Sequence, residues 1–205
     1  MKNLSKVILS ILFTTASISS FAQETTNETS SSTSESKFIL KGGLNYSTVT
    51  KGDFDEGPDP RTSFYIGFAG EIPITENVFA IQPELIYSRQ GFETNTTILG
   101  TNYNTKYKID YLNMPIIAKL YLGKAFNLEV GPQFGLKINE KVGDEDGGSE
   151  SNNVKDFDTA LALGFSFNFE GGAFIHARYT QSLNEVVENS NSKNMVFQLG
   201  LGFRL

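Results

Sequence analysis

An all-β fold, an eight-stranded antiparallel up-and-down transmembrane β-barrel, is what this sequence predicts. Three observations carry the prediction. From Lys37 onward apolar residues recur with a period of two, in eight runs. The connections between the runs alternate long and short. One face of each run is large and apolar, and the other is small, polar or charged.

The runs are Lys37–Val49, Arg61–Ile72, Asn77–Phe92, Tyr107–Leu122, Ala125–Asn139, Asp156–Phe169, Gly172–Leu183 and Asn194–Leu205. A tilted strand of ~9–11 residues spans a bilayer, and these runs are long enough. In the fifth run Phe126, Leu128, Val130, Phe134, Leu136 and Ile138 share a face opposite Asn127, Glu129, Gly131, Gln133, Gly135 and Lys137. The sixth sets Phe157, Leu161, Leu163, Phe165, Phe167 and Phe169 against Asp158, Ala160, Ala162, Gly164, Ser166 and Asn168. The last strand places Met195, Phe197, Leu199, Leu201, Phe203 and Leu205 on its apolar face. Pro83, Pro115 and Pro132 fall inside runs, where a missing N–H breaks a ladder bond, and read as bulges or irregularities. Pro73 reads as a turn residue.

The long connections are TKGDFDEGPDP, ETNTTILGTNYNTK, EKVGDEDGGSESNNVK and NEVVENSNSK; the short ones are PITEN, GK and EGG. In an up-and-down meander alternate connections lie at one end, so all long loops share an end and both termini fall at the other. An even strand count with unequal ends is the pattern of an outer-membrane barrel. A soluble lipocalin-like barrel competes, with its apolar face inside. Uniformly large Phe, Leu, Ile and Tyr on one face, against Gly43, Gly67, Ala69, Gly131, Gly135, Gly164, Gly200 and Gly202 on the other, favour small residues inside and apolar ones outside.

With 205 residues the chain holds one domain and an appendage. It has no Cys, which excludes disulfides, thiolate metal sites and catalytic cysteines, and a single His, His176. Seventeen basic against 23 acidic residues give no basic stripe for nucleic acid. Residues 1–22 read as a secretory signal peptide: Lys2 and Lys6, the apolar stretch VILSILFTTASIS, then Ser20 and Ala22 before a cleavage site. Residues 23–36, rich in Ser, Thr and Glu and lacking apolar side chains, read as a disordered linker. The barrel domain is 37–205.

Alternation places Lys41, Lys119, Lys137, Arg178 and Arg204 inside, together with Glu71, Glu84, Glu129 and Asp158. Near-neutrality points to a paired lumen charge network, because an unpaired buried charge is costly. Eight strands leave room for side chains and not for a wide aqueous pore, so a plugged lumen is expected. No metal or cofactor is expected. His176, in FIHARYTQS, falls inside, where pairing with a carboxylate is the simplest role. No Gly-x-Ser-x-Gly elbow and no phosphate-cradling loop occur, so no catalytic residue is assigned. Acidic loop residues Asp53, Asp55, Glu56 and Asp59, and Asp144, Glu145, Asp146 and Glu150, lack full calcium-loop spacing and read as solvated.

FILKGGLNYST, IQPELIYSRQGFE, YLNMPIIAKLYLG, FNLEVGPQFGLKIN and NMVFQLGLGFRL together resemble the PorT-like outer-membrane β-barrel family, common in Bacteroidota. The most specific pieces are QPELIYS, YLNMPIIAK and EVGPQFG, and the resemblance runs from Lys37 to Leu205. It implies a barrel exported through the periplasm into the outer membrane, with long loops extracellular and both termini periplasmic. Some members of that family are linked to protein secretion and gliding, and it offers no catalytic motif. Barrels of this class also resemble one another in a C-terminal insertion signal, here Gln198, Gly200, Phe203 and Leu205, with Leu205 where Phe is more usual. The expected partners are outer-membrane lipid and lipopolysaccharide, the barrel assembly machinery and other envelope proteins. Three functions follow: a structural or interaction barrel, a narrow solute or ion channel, and, least favoured, a lipid-modifying enzyme centred on His176.

Overall fold

The computed structural model describes residues 36–53, 57–98, 101–143, 149–150, 154–187 and 190–205. The expected signal peptide, and the linker apart from Ser36, lie outside them. The strands are β1 (Lys37–Val49), β2 (Asp59–Thr75), β3 (Phe79–Ile98), β4 (Thr101–Tyr121), β5 (Phe126–Gly143), the two-residue β6 (Ser149–Glu150), β7 (Phe157–Asn168), β8 (Ala173–Ser182) and β9 (Asn194–Arg204). Each long strand pairs antiparallel with its sequence neighbour, β5 pairs with β7, and β1 pairs with β9 from Ile39↔Arg204 to Val49↔Asn194. The eight long strands therefore close into an up-and-down ring, and β6 is a short flap on β5.

Alternation sorts the side chains as the lipid-facing arrangement requires. Leu201 is 66% exposed on the outer surface, and Leu44, Leu199, Phe165 and Phe68 are exposed with it. Inside, Lys119 and Arg178 are 0% and 1% exposed. Apolar out and charged in is the reverse of a soluble barrel, so the lipocalin-like alternative fails. Aromatic rings rim both margins of the apolar band: Phe38, Phe68, Phe169 and Phe203 near the short turns, and Tyr46, Phe64 and Phe197 near the long loops. Rings that are apolar at one end and wettable at the other suit that boundary.

The short turns are built by residues that tolerate positive φ. Asn77 (φ 56°) carries the β2–β3 turn, where the Val78 N–H donates to the Thr75 carbonyl at 3.1 Å. Gly171 and Gly172 (φ 81° and 92°) carry the β7–β8 turn, a backbone that a Cβ would strain.

Three expectations need correction. The connection after the third run is not a long loop: β3 and β4 pair on as a hairpin to Ile98↔Thr101. Its Thr-, Ile- and Tyr-containing sequence satisfies the ladder as well as it would a loop. Pro83, Pro115 and Pro132 do not shift register. Pro83↔Ile116, Pro115↔Gln133 and Pro132↔Leu161 keep the frame of their ladders; rungs are missing beside Pro83 in β3–β4 and at Pro132 in β4–β5, while the β5–β7 ladder runs unbroken through Pro132. Register shifts lie elsewhere: between Pro60 and Tyr65 and between Pro73 and Thr75 on β2, and between Asp110 and Tyr111, where Ile138 is the extra residue on β5. Pro73 sits within β2, opposite Ala80.

Candidate functional site

The lumen is the candidate site, and its filling changes in layers along the axis. β1 reads out the order from the turn end: Lys41 in a charged layer, Asn45 in an amide layer, Val49 in an apolar cap.

Arg178 on β8 centres the charged layer. Its Nη1 and Nη2 donate to the two carboxylate oxygens of Glu84 on β3, at 2.7 and 2.9 Å, and Nη2 also donates to Glu129 on β5 at 2.7 Å. Lys41 on β1 reaches Glu84 at 2.7 Å. Three strands around the ring thus meet at one guanidinium, whose planar fork serves two carboxylates at once, and Lys41 joins β1 to them through Glu84. Toward the turns the network continues through Gln82, which donates to Glu84 at 2.6 Å, and Lys119, which donates to Gln82 at 3.1 Å and to Glu71 at 2.9 Å. Arg204 reaches Glu71 at 3.4 Å and Asn168 at 2.8 Å.

The amide layer is neutral. Gln198 donates to Asn45 at 2.9 Å, Asn45 and Gln90 both donate to Ser88, and Asn194 donates to Gln90 at 2.5 Å. Above it Val49, Phe92, Ile109, Tyr111, Val154, Val186 and Val187 pack into one buried cluster. Val154 and Val187 come from two different long connections and form an isolated bridge across the loop-end mouth. Lys137 anchors that cap: it pairs with Glu140 at 2.8 Å and with Asp156 at 3.2 Å, and donates to the Val154 carbonyl. Glu140 in turn accepts from the Val154 N–H at 3.2 Å.

Of the nine lumen residues read from alternation, Lys41, Glu71, Glu84, Lys119, Glu129, Arg178 and Arg204 lie in one connected set. Lys137 belongs to the separate loop-end group. Asp158 joins neither: it accepts from Ser182 Oγ at 2.8 Å and its second oxygen has no partner among the described residues. His176 is buried at 2% exposure, and its Nε2 lies 2.6 Å from Tyr65 Oη. A tyrosine hydroxyl, not the expected carboxylate, is its partner, and the ring is turned away from the lipid face.

Sequence reasoning missed Glu140, Gln82 and Tyr65. Strict alternation points Glu140 outward, and only the extra residue at Ile138 turns it in. Gln82 and Tyr65 were within reach, each lying two residues from an inward Glu84 or Gly67. On the inward face of β9, a Cβ at Gly202 would overlap the Phe174 ring, and one at Gly200 would overlap Tyr65 Oη. These glycines are where two large inward rings fit. Gln198, Gly200 and Phe203 lie in the closing strand and Leu205 one residue past its end, with Phe203 and Leu205 exposed.

At the turn end a cavity of about 810 Å³ opens to solvent, lined by Lys37, Glu71, Tyr121, Lys124, Asn168 and Arg204. Among the described residues, no cluster of His, Asp or Glu has the composition of a metal site. Of the acidic loop residues, Asp55, Glu56 and Asp144, Glu145 and Asp146 lie outside the described residues. Asp53 accepts from Asn191 at 2.8 Å.

Residues 21–188 match the family model described as outer membrane protein beta-barrel domain. Among solved structures, the chain is similar to Ail, the attachment invasion locus protein of Yersinia pestis, solved with the heparin analogue sucrose octasulfate. Identity is 17% over 83% of this chain and 99% of that one, with a TM-score of 0.51. Neisserial surface protein A is similar at 12% identity over 83% of this chain and 99% of that one, with a TM-score of 0.58. At these identities the likeness is one of fold. Comparison with curated proteins finds no match.

Proposed function

This chain belongs to the outer membrane protein beta-barrel domain family, and from that premise we propose a sealed, PorT-like barrel that serves as a structural or interaction protein. One observation carries the proposal: Arg178 draws Glu84 and Glu129 together across the bore, beneath an apolar cap made partly of loop residues. A bore crossed by buried ion pairs and then closed by Val, Phe and Ile side chains presents no continuous aqueous path. The working surfaces are then the two ends and the lipid belt. The belt faces outer-membrane lipid and lipopolysaccharide, β9 is offered to the barrel assembly machinery, and the long loops, extracellular with both termini periplasmic, meet other envelope proteins. The PorT-like resemblance points to secretion components among those partners.

Conductance tests this. The refolded chain in planar bilayers at ~100 mV gives no current steps above the lipid background. Reproducible unitary steps overturn the sealed reading and establish the narrow channel in its place. The turn-end cavity favours that second reading, since it admits solute as far as Arg204 and Glu71.

A further inference from the structure

We propose that Lys108 on β4 and Lys141 on β5 hold a phosphate group of lipopolysaccharide against the outer wall of the barrel. This deepens the reading above by naming where the lipid belt meets a headgroup, and it rests on the loop end being extracellular. Lys108 and Lys141 are register partners in the β4–β5 ladder. Two residues away, toward the bilayer centre, Asp110↔Asn139 face outward together. Asn139 Nδ2 donates to Asp110 at 3.1 Å, and the partly exposed Arg89 pairs with the same carboxylate. Strand alternation therefore puts both lysines on the outer surface.

Like charges directly opposed across a ladder repel. The rows on either side avoid this. Below, Arg89↔Asp110 is an ion pair at 2.7 Å; above, Glu93↔Lys106 is one at 3.7 Å. Between them Lys108 meets Gly91 on β3, which has no side chain, and Lys141 on β5. β6 brings Glu150 into register with Lys141, so the row still carries two positive charges to one negative. Neither lysine forms an ion pair or a side-chain hydrogen bond among the described residues. An anion between the two ammonium groups turns their repulsion into two charge-assisted contacts.

What lies below them selects the anion. On the same two strands the register partners Leu112↔Leu136 and Met114↔Phe134 come next toward the bilayer centre, with the exposed Ile138 beside them. Arg89 lies over the Phe64 ring, 5.5 Å from its centroid, at the aromatic margin near the long loops. The lysines stand one outward position beyond that row, about 7 Å further along the strand. A free phosphate ion or a soluble acidic protein gains nothing from the apolar wall. A phosphorylated lipid fits both parts: acyl chains on Leu112, Leu136, Met114 and Phe134, phosphate at Lys108 and Lys141. The aliphatic stems of the lysines then lie along the wall between chains and headgroup. In the outer leaflet that lipid is lipopolysaccharide.

The probe is diphosphoryl lipid A, titrated into the full chain folded in uncharged detergent micelles, with the bound fraction read by native mass spectrometry. The chain binds it at least tenfold more tightly than dephosphorylated lipid A, which has the same acyl chains. Lys108→Gln/Lys141→Gln erases that preference while the barrel still migrates as folded before heating. Lys37→Gln/Lys124→Gln, which removes the same charge at the turn end, keeps it. Equal binding of the two lipids, a preference that survives in Lys108→Gln/Lys141→Gln, or one lost as fully in Lys37→Gln/Lys124→Gln overturns the proposal. So does phosphatidylglycerol or inorganic phosphate bound as tightly as lipid A, which makes the pair a site for any anionic lipid or for a free anion. The chain has no cysteine, so an impermeant thiol reagent on intact cells carrying Lys51→Cys reports which side the loop end faces. Conductance reports on the bore alone, and the readings fail independently.

Discussion

Arg178 satisfies two carboxylates at once, so its loss leaves both Glu84 and Glu129 short of a partner in a site closed to water. Removing one side of a buried ion pair costs about 3–5 kcal/mol. Arg178→Ala is expected to lower unfolding stability in detergent by that order, measured by denaturant titration. A loss under ~1 kcal/mol would show that Lys41, already on Glu84, takes over both carboxylates. A second residue-level expectation concerns Gly202, beneath the Phe174 ring. Gly202→Ala overpacks that contact and costs ~1–3 kcal/mol. With Phe174→Ala in the same chain the added methyl meets no ring, and the two losses combine to less than their sum. Strict additivity would place the clash elsewhere. These residues also mark what a sequence can show. Arg178 and its carboxylates were legible because alternation holds through the middle of β1, β3, β5 and β8. Asp158 satisfied the same alternation yet lies off the network, because facing inward fixes a side and not a partner. Gly200 and Gly202 were visible as small residues, but nothing in the strand itself says that Tyr65 and Phe174, far away in sequence, fill the space.

Strands, unlike side chains, were read almost whole, and the misreadings share a cause. A run of Thr, Asn, Ile and Tyr suits a polar loop and a solvated ladder equally, so the β3–β4 extension could not be told from a loop without its partner strand. The extra residue at Ile138 is likewise invisible until β4 is laid beside β5, yet it decides that Glu140 faces Lys137. β9 yields a prediction of its own. If Gln198, Gly200, Phe203 and Leu205 act as an insertion signal, the departure at Leu205 weakens it. Leu205 is 72% exposed, so Leu205→Phe disturbs little packing and shifts detergent stability by no more than ~0.5 kcal/mol. In cells the variant is expected to reach the folded, heat-modifiable form faster, by pulse-chase. Unchanged assembly kinetics would reduce β9 to its structural part, closing the ring.

Closure is the property on which the whole molecule depends, because an open sheet with this apolar face exposes an edge that templates aggregation. The seam is β1 against β9, eleven rungs from Ile39↔Arg204 to Val49↔Asn194. The absence of cysteine makes it directly testable. Leu44 and Leu199 are register partners, both outward and exposed. Directly opposed residues in an antiparallel pair have Cα atoms ~4.5 or ~5.5 Å apart according to their hydrogen-bonding class, and both separations fall within the ~4.4–6.8 Å a disulfide spans. Leu44→Cys with Leu199→Cys should therefore bridge on mild oxidation of the folded chain, giving a species whose migration after boiling changes on reduction. Leu44→Cys with Leu201→Cys is offset by one diagonal step, ~7–8 Å, and should bridge far less. Equal bridging in the two pairs would mean that the seam slides. Preferential bridging of the offset pair would move the register of β9 by two residues. That slip keeps the apolar face outward while carrying Gly200 and Gly202 off the Tyr65 and Phe174 rings they accommodate. The seam is thus set by more than its ladder: inward rings and inward glycines have to coincide, and only one register brings them together.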